Sequence, residues 1–229
     1  LPDNEALTEN EHGSVLLTMS LSKEIAKYIH PVLKALDFQK HHYFWRLAKG
    51  DWYFAVCTKS SSLSDGRQCL ELELASYSIR IERLLGERLP FGADMELMPN
   101  GITMCHFMSP IQFLTDELGW IKPTEPMIFP PNSDFSLIFK TLAKRLSDLL
   151  PRFIETFGKL ETLIEYQQRG EGFAARSSHG NLRSAAACIL LGHYDDAEGM
   201  IQNAVKAGSA PLIKQMAANL RKEIMRHSP

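Results

Sequence analysis

Phe38-Gln-Lys-His-His-Tyr-Phe-Trp-Arg-Leu47, Trp52-Tyr-Phe-Ala-Val-Cys-Thr58 and Cys69-Leu-Glu-Leu-Glu-Leu-Ala-Ser-Tyr-Ser78 follow one another across short polar joins. Each run is rich in residues that favour extended backbone, so the stretch Phe38–Ile81 reads as three β-strands in succession. Lys49-Gly-Asp51 supplies a tight turn after the first, and Ser60–Gly66 a polar loop after the second. In the third run Leu70, Leu72 and Leu74 alternate with Glu71, Glu73 and Ala75. A period of two puts the leucines on one face and the acids on the other. An apolar sheet face needs cover, and the remainder of the chain reads as helix.

The cover begins upstream. Ser20 or Ser22 caps a helix in which Ile25, Ile29, Val32, Leu33 and Leu36 form one stripe. Pro31 lies inside that stripe and predicts a kink or a break. Asp37 follows the last turn, where the left-handed cap conformation is expected. Downstream, Ile79–Gly92 suits a short helix or an irregular turn. Asn100-Gly101 predicts a second hairpin between Met95–Met98 and Ile102–Met108. Residues 119 to 132, with four prolines, read as a packed loop or a linker. From Ser133 a wide apolar face runs through Phe135, Phe139, Leu142, Leu146, Leu149 and Leu150. Pro151 is expected to bend or restart this helix before it continues to Ile164.

The last third carries the clearest local pattern. Asn181 to Gly208 reads as helix, turn, helix, and its Leu-Gly-His-Tyr-Asp-Asp-Ala core resembles the turn of a tetratricopeptide repeat. On that reading Gly192 lets two helices approach, Tyr194 fills the seam, and Ala197 and Ala204 keep the distance short. Pro211 opens a final helix with Leu212, Met216, Leu220 and Ile224 on one side. One such unit predicts a docked hairpin, not a solenoid.

The fold expected is therefore α+β: an antiparallel sheet of three to five strands, packed by an N-terminal amphipathic helix, with a C-terminal helical layer. Residues 1–18 hold four acids and no Lys or Arg, and read as an acidic arm or a foreign remnant ahead of Met19. Residues 19–132 form the sheet domain and 133–229 the helical region, packed as one globular unit. The 229 residues are 45% apolar and 23% charged, an ordinary globular composition. A net charge of −2, with no basic cluster in the linear order, argues against nucleic acid as partner. No apolar run approaches the ~20 residues of a membrane span, and no membrane partner is expected. Cys57, Cys69, Cys105 and Cys188 are widely spaced and read as buried thiols, with a Cys57–Cys69 disulfide as the alternative. A cytoplasmic setting follows.

The run Ile29-His-Pro-Val-Leu-Lys-Ala-Leu-Asp-Phe-Gln-Lys40, with the aromatic meander after it, resembles a bacterial domain family of unknown function. Its members open with a helix ending in a Pro-x-Leu-x-x-x-Gly-Phe-like motif, and some close with an Ala/Leu hairpin like Ile189–Ala204. Asp37 stands where glycine is usual. The resemblance implies a cytoplasmic α+β protein and no known reaction. Bacterial immunity proteins, which bind and block a toxin, share the general layout.

Chemical candidates are few. His41 and His42 are adjacent in a strand and point to opposite faces, so a metal site would need His106 from the second hairpin. Glu71 and Glu73 share a face, about 7 Å apart by strand geometry, within the span of a two-carboxylate pair. A solvated charged face, paired with Arg46 or Lys59, is the commoner use of such residues. Cys105-His106 point apart, as a buried thiol would allow. The stretch Gly170–Gly180, with Arg176, Ser177, Ser178 and His179, reads as a surface loop or an anion-binding loop. A hydrolase with its site at the second hairpin or this loop is the alternative function. No cofactor is expected. The leading expectation is a protein–protein interaction module, toxin-immunity-like or self-associating, whose surface is the aromatic set Tyr43, Trp45, Trp52 and Tyr53.

Overall fold

The computed structural model describes residues 21–41, 44–62, 64–86, 107–110, 127–130, 135–169 and 177–227. It is α+β, built on an antiparallel sheet. Helix α1 comprises a π-helical turn, Ile25–Ile29, and an α-helical segment, His30–Ala35. Four strands follow: β1 (Gln39–His41), β2 (Phe44–Lys49), β3 (Trp52–Ser62) and β4 (Gln68–Ser78). Helix α2 (Ile79–Leu85) continues directly from β4. Two short strands, β5 (Phe107–Pro110) and β6 (Met127–Phe129), precede helices α3 (Phe135–Phe157), α4 (Leu160–Arg169), α5 (Ser178–Leu191), α6 (Tyr194–Ala207) and α7 (Pro211–His227).

The sheet runs in the order β1-β2-β3-β4-β5, and β6 also pairs with β4. The aromatic run read as one strand is two. His41 pairs with Phe44, so the chain reverses between them. Lys49 pairs with Trp52 across Gly50-Asp51. Gly50 has φ of +59° and Asp51 stays out of the left-handed region, as a two-residue type II′ turn requires. β5 lies against residues 73–76 of β4 and β6 against residues 68–70, end to end along one edge. The proline-rich stretch thus contributes a strand where a loop or linker was expected. The first arm of the second hairpin and residues 1–18 lie outside the described residues.

Trp45, Val56 and Leu74 stand opposite one another across β2, β3 and β4, and so share a face with Leu70 and Leu72. All five are buried, and α1 and α3 cover them. Each fully buried leucine contributes about 1.5–3 kcal/mol relative to exposure. The ring of Phe54 meets Phe153 of α3 edge-on at 5.9 Å. A Cβ on Gly158, just past α3, would press on Phe54 and on the carbonyl of Ile154, so only glycine lets the chain leave the helix there. The break falls at Gly158 and not at Pro151, which sits inside a continuous α3. Pro151 and Ser147, whose carbonyl loses its partner to the proline, are both exposed, on the solvent side of the helix.

Pro31 is accommodated differently. The His30 N–H reaches back to the Ile25 carbonyl, a widened turn that gives the proline ring room, so the helix continues without breaking. Beyond α1, Asp37 N–H bonds Lys34 O at 3.1 Å and Phe38 N–H bonds Leu33 O at 2.9 Å, a Schellman cap closed by the buried pair Leu33 and Phe38.

A second core joins α2, α5, α6 and α7 with Leu163 of α4. The α5–α6 hairpin closes on Ala197, Ile201 and Ala204, all fully buried. Gly192 acts otherwise than the repeat-like reading expects. A Cβ there would meet nothing within 4 Å, but its φ is +81°. It serves as the left-handed residue of another Schellman cap, with His193 N–H on Cys188 O at 2.9 Å. In α7 the buried stripe is Ile213, Met216, Ala217 and Leu220, while Leu212 is exposed. Leu212 and Ile213 differ by 100° around the helix, which places Leu212 off the stripe.

Asp37, at φ +62°, is the one non-glycine among the described residues with positive φ. Asp37→Gly should raise stability by about 1 kcal/mol, read as a higher melting temperature. Gly192→Ala should cost about 1–2 kcal/mol through φ alone, and Gly192→Leu no more than that, because the space is open.

Candidate functional site

The β2–β3 hairpin decides which expected surface residues are available. Tyr43 lies outside the described residues. Trp45 does not belong to a surface. It is 4% exposed, packs in the sheet core, and meets the His30 ring at 4.8 Å. Its register opposite Val56 turns it to the helix-covered face. Trp52 and Tyr53 are half-buried next to the turn, where Ala48, Lys49, Gly50 and Asp51 are exposed. Trp52 leans on the sheet core and stacks along Phe54 at 6.4 Å. Tyr53, on the opposite face, lies 6.3 Å from the Tyr77 ring and carries the Arg46 guanidinium over its own ring at 5.2 Å. The Ile79 N–H donates to the Asp51 carbonyl at 2.9 Å and ties the turn to the end of β4.

The second sheet face is also covered. Phe44, Ala55, Cys57, Cys69, Ala75 and Tyr77 are buried on it, yet belong to neither core. Cys69 and Cys188 are free thiols, and burial pushes the Cys188 thiol up to about 11, so it stays protonated. Cys57 faces Glu73 and Cys69 faces Ser61, four ladder positions apart, too far for a disulfide between them. Glu71 stands opposite Lys59 in the ladder register. The His41 ring stacks on Phe44 at 5.9 Å. Among the described residues no group of three or more His, Cys, Asp or Glu side chains is placed to hold a metal. His42, Cys105, His106, Gly170 and Arg176 are outside them.

Ser177, Ser178, His179 and Gly180 are not loop. Ser177 caps α5, its hydroxyl accepting from the Gly180 N–H at 2.9 Å, and the other three form the first turn. Helix α5 therefore starts three residues earlier than the sequence pattern places it.

One charged pair was not foreseen. Glu82 of α2 and Arg183 of α5 lie 3.4 Å apart, with side chains 1% and 6% exposed. Glu82 sits among Ile81, Leu84 and Leu85, where sequence spacing alone gives a charged residue to solvent. Its partner is 101 residues away, so no local signal could reveal the pair. Among the described residues no helix is long and apolar enough to cross a membrane. Comparison of the chain with protein-family models, curated proteins and solved structures finds no match.

Glu82→Ala, leaving Arg183 buried, should cost about 3–5 kcal/mol, whereas the double change Glu82→Leu with Arg183→Met should recover most of that in chemical denaturation. Burial, with Lys40 and Lys34 adding to it, holds the His30 imidazole below its ordinary value of 6.5. The folded chain therefore favours the neutral ring and the unfolded chain binds the proton more tightly. This stability is complete above the ordinary pKa and is lost as pH falls from there toward the folded value. His30→Gln should flatten the pH–stability curve between about pH 7 and pH 5.

Proposed function

We propose that this protein is a cytoplasmic protein-binding module, with the end of the β2–β3 hairpin as its contact surface. One observation carries the reading: Trp52 and Tyr53, adjacent in β3 and half-buried, put one aromatic ring on each side of an exposed turn. Large amphipathic rings held by packing on one side bring contact area at low entropic cost, which is why Trp and Tyr dominate binding hot spots. Gly50 supplies the positive φ of the turn, Arg46 and Tyr77 brace Tyr53, and Phe54 braces Trp52. A partner that covers the turn would also find exposed Lys49 and Asp51 beside the rings. The buried thiols Cys69 and Cys188 suit a reducing compartment.

The full chain, tagged and recovered from its native lysate, should carry a stoichiometric partner. Trp52→Ala and Tyr53→Ala should each weaken that complex at least tenfold, a loss of 1.4 kcal/mol or more. Trp45→Ala should act differently, lowering the melting temperature through a core cavity. Full retention of the partner by both hairpin variants, with folding intact, would refute the assignment of the surface.

A further inference from the structure

Charge is distributed unevenly over the helices that cover the sheet. Residues 21–35 carry Lys23, Lys27 and Lys34, and residues 135–147 carry Lys140, Lys144 and Arg145. Against these six cations the same stretches hold one carboxylate, Glu24, and exposed Asp148, one turn after Lys144, closes the basic stretch of α3. All six are exposed. In the linear order they are separated by over a hundred residues; the fold brings them together.

The crossing of α1 and α3 fixes their arrangement. Tyr28 Oη and Ser136 Oγ are hydrogen-bonded at 2.7 Å, and the Lys27 ammonium sits 4.8 Å from the centre of the Tyr28 ring. The Ser136 bond, Lys27 and then Lys140 hold the Tyr28 phenol below its usual pKa. Lys140 lies one turn beyond Ser136 and Lys144 one turn further, while Lys23 lies one turn before Lys27. Among the described residues Lys140, Lys144 and Arg145 enter no ion pair, whereas Arg183 and Arg221 of the second core are each paired with a glutamate. Leu137 shares the stripe of Lys140 and Lys144, at spacings of three and seven, and is 65% exposed.

We infer that the outer surface of α1 and α3 docks an acidic polypeptide segment, its carboxylates on Lys27, Lys140 and Lys144 and an apolar side chain on Leu137. The inference rests on the binding reading above but uses a different surface. Five of the six cations are lysines, point charges that match separate carboxylates, not the guanidinium forks that dominate phosphate recognition. The one aromatic ring at the crossing, Tyr28, is covered by Lys27 and tied to Ser136, so it offers no stacking platform for a nucleic-acid base. Leu137 is the only large apolar side chain exposed on either helix among the described residues, too little for a membrane anchor.

The test uses the full chain and a fluorescein-labelled peptide of four Glu-Glu-Leu repeats, followed by anisotropy in low salt. The wild type should bind, and the triple variant Lys27→Glu, Lys140→Glu, Lys144→Glu should bind at least tenfold more weakly with an unchanged circular dichroism spectrum. Raising the salt to about 0.5 M should weaken the wild-type complex by a similar factor, because exposed charges are screened. Leu137→Ser should weaken it severalfold, and Trp52→Ala should leave it unchanged. Equal affinity of wild type and triple variant would overturn the proposal. So would tighter binding of phosphatidylserine vesicles or of a single-stranded oligonucleotide than of the peptide. Loss of the native partner on Trp52→Ala, with peptide binding indifferent to the triple charge reversal, would leave the hairpin reading standing and this one refuted.

Discussion

The structure depends on strand β4 being used on every side. It pairs with β3 along one edge and with β5 and β6 along the other, and residues on both of its faces are buried. A strand in that position has little solvent for its backbone, and pairing supplies partners along all of its β3 edge and at residues 68–70 and 73–76 of the other. It then passes from Ser78 to Ile79 without a linking residue and becomes α2, whose Ile81 and Leu85 lie in the second core. One continuous segment, residues 68 to 85, thus belongs to the sheet at one end and to the helical layer at the other.

The ion pair Glu82–Arg183 fits that position. A buried pair is weak evidence for added stability, because desolvation of both charges offsets their attraction. Its effect here is on register. α2 is only seven residues long, and the pair, together with the Asn219 amide donating to the Leu85 carbonyl at 2.8 Å, sets where it meets α5 and α7. Gly86 ends α2 in the left-handed conformation directly against Asn219, which leaves no room for a side chain. Further out, the bidentate contact of Arg221 with Glu198 links α6 to α7 and holds the Glu198 carboxyl below its usual range. It is half-exposed, and solvent screening leaves it a minor contribution.

What could be seen in the sequence follows from how local the controlling physics is. Strand β4 was legible because its leucines alternate, and α3 because its apolar residues keep helical spacing over six turns. Asp37 was legible because a cap is a local motif. The division between β1 and β2 was hidden because His42-Tyr43 carries no Gly, Asn or Pro to announce a reversal. Trp45 could be placed only once the register set it opposite Val56, since a shift of one residue exchanges the two faces. Gly192 was recognised as necessary for the wrong reason: its small size suggested close approach, while its φ is what the cap requires. The Glu82–Arg183 pair and the basic crossing of α1 and α3 were beyond local reading, because each joins residues over a hundred positions apart.

Native-state hydrogen exchange measures most directly whether the β4–α2 segment couples the two cores. The amides of Leu70–Tyr77, of Glu82–Leu85 and of the α5 residues Ala185–Ile189 should exchange only through the same global opening, with a common free energy and a common denaturant dependence. Exchange of α2 and α5 at a much lower free energy than β4, with β4 still fully protected, would contradict it.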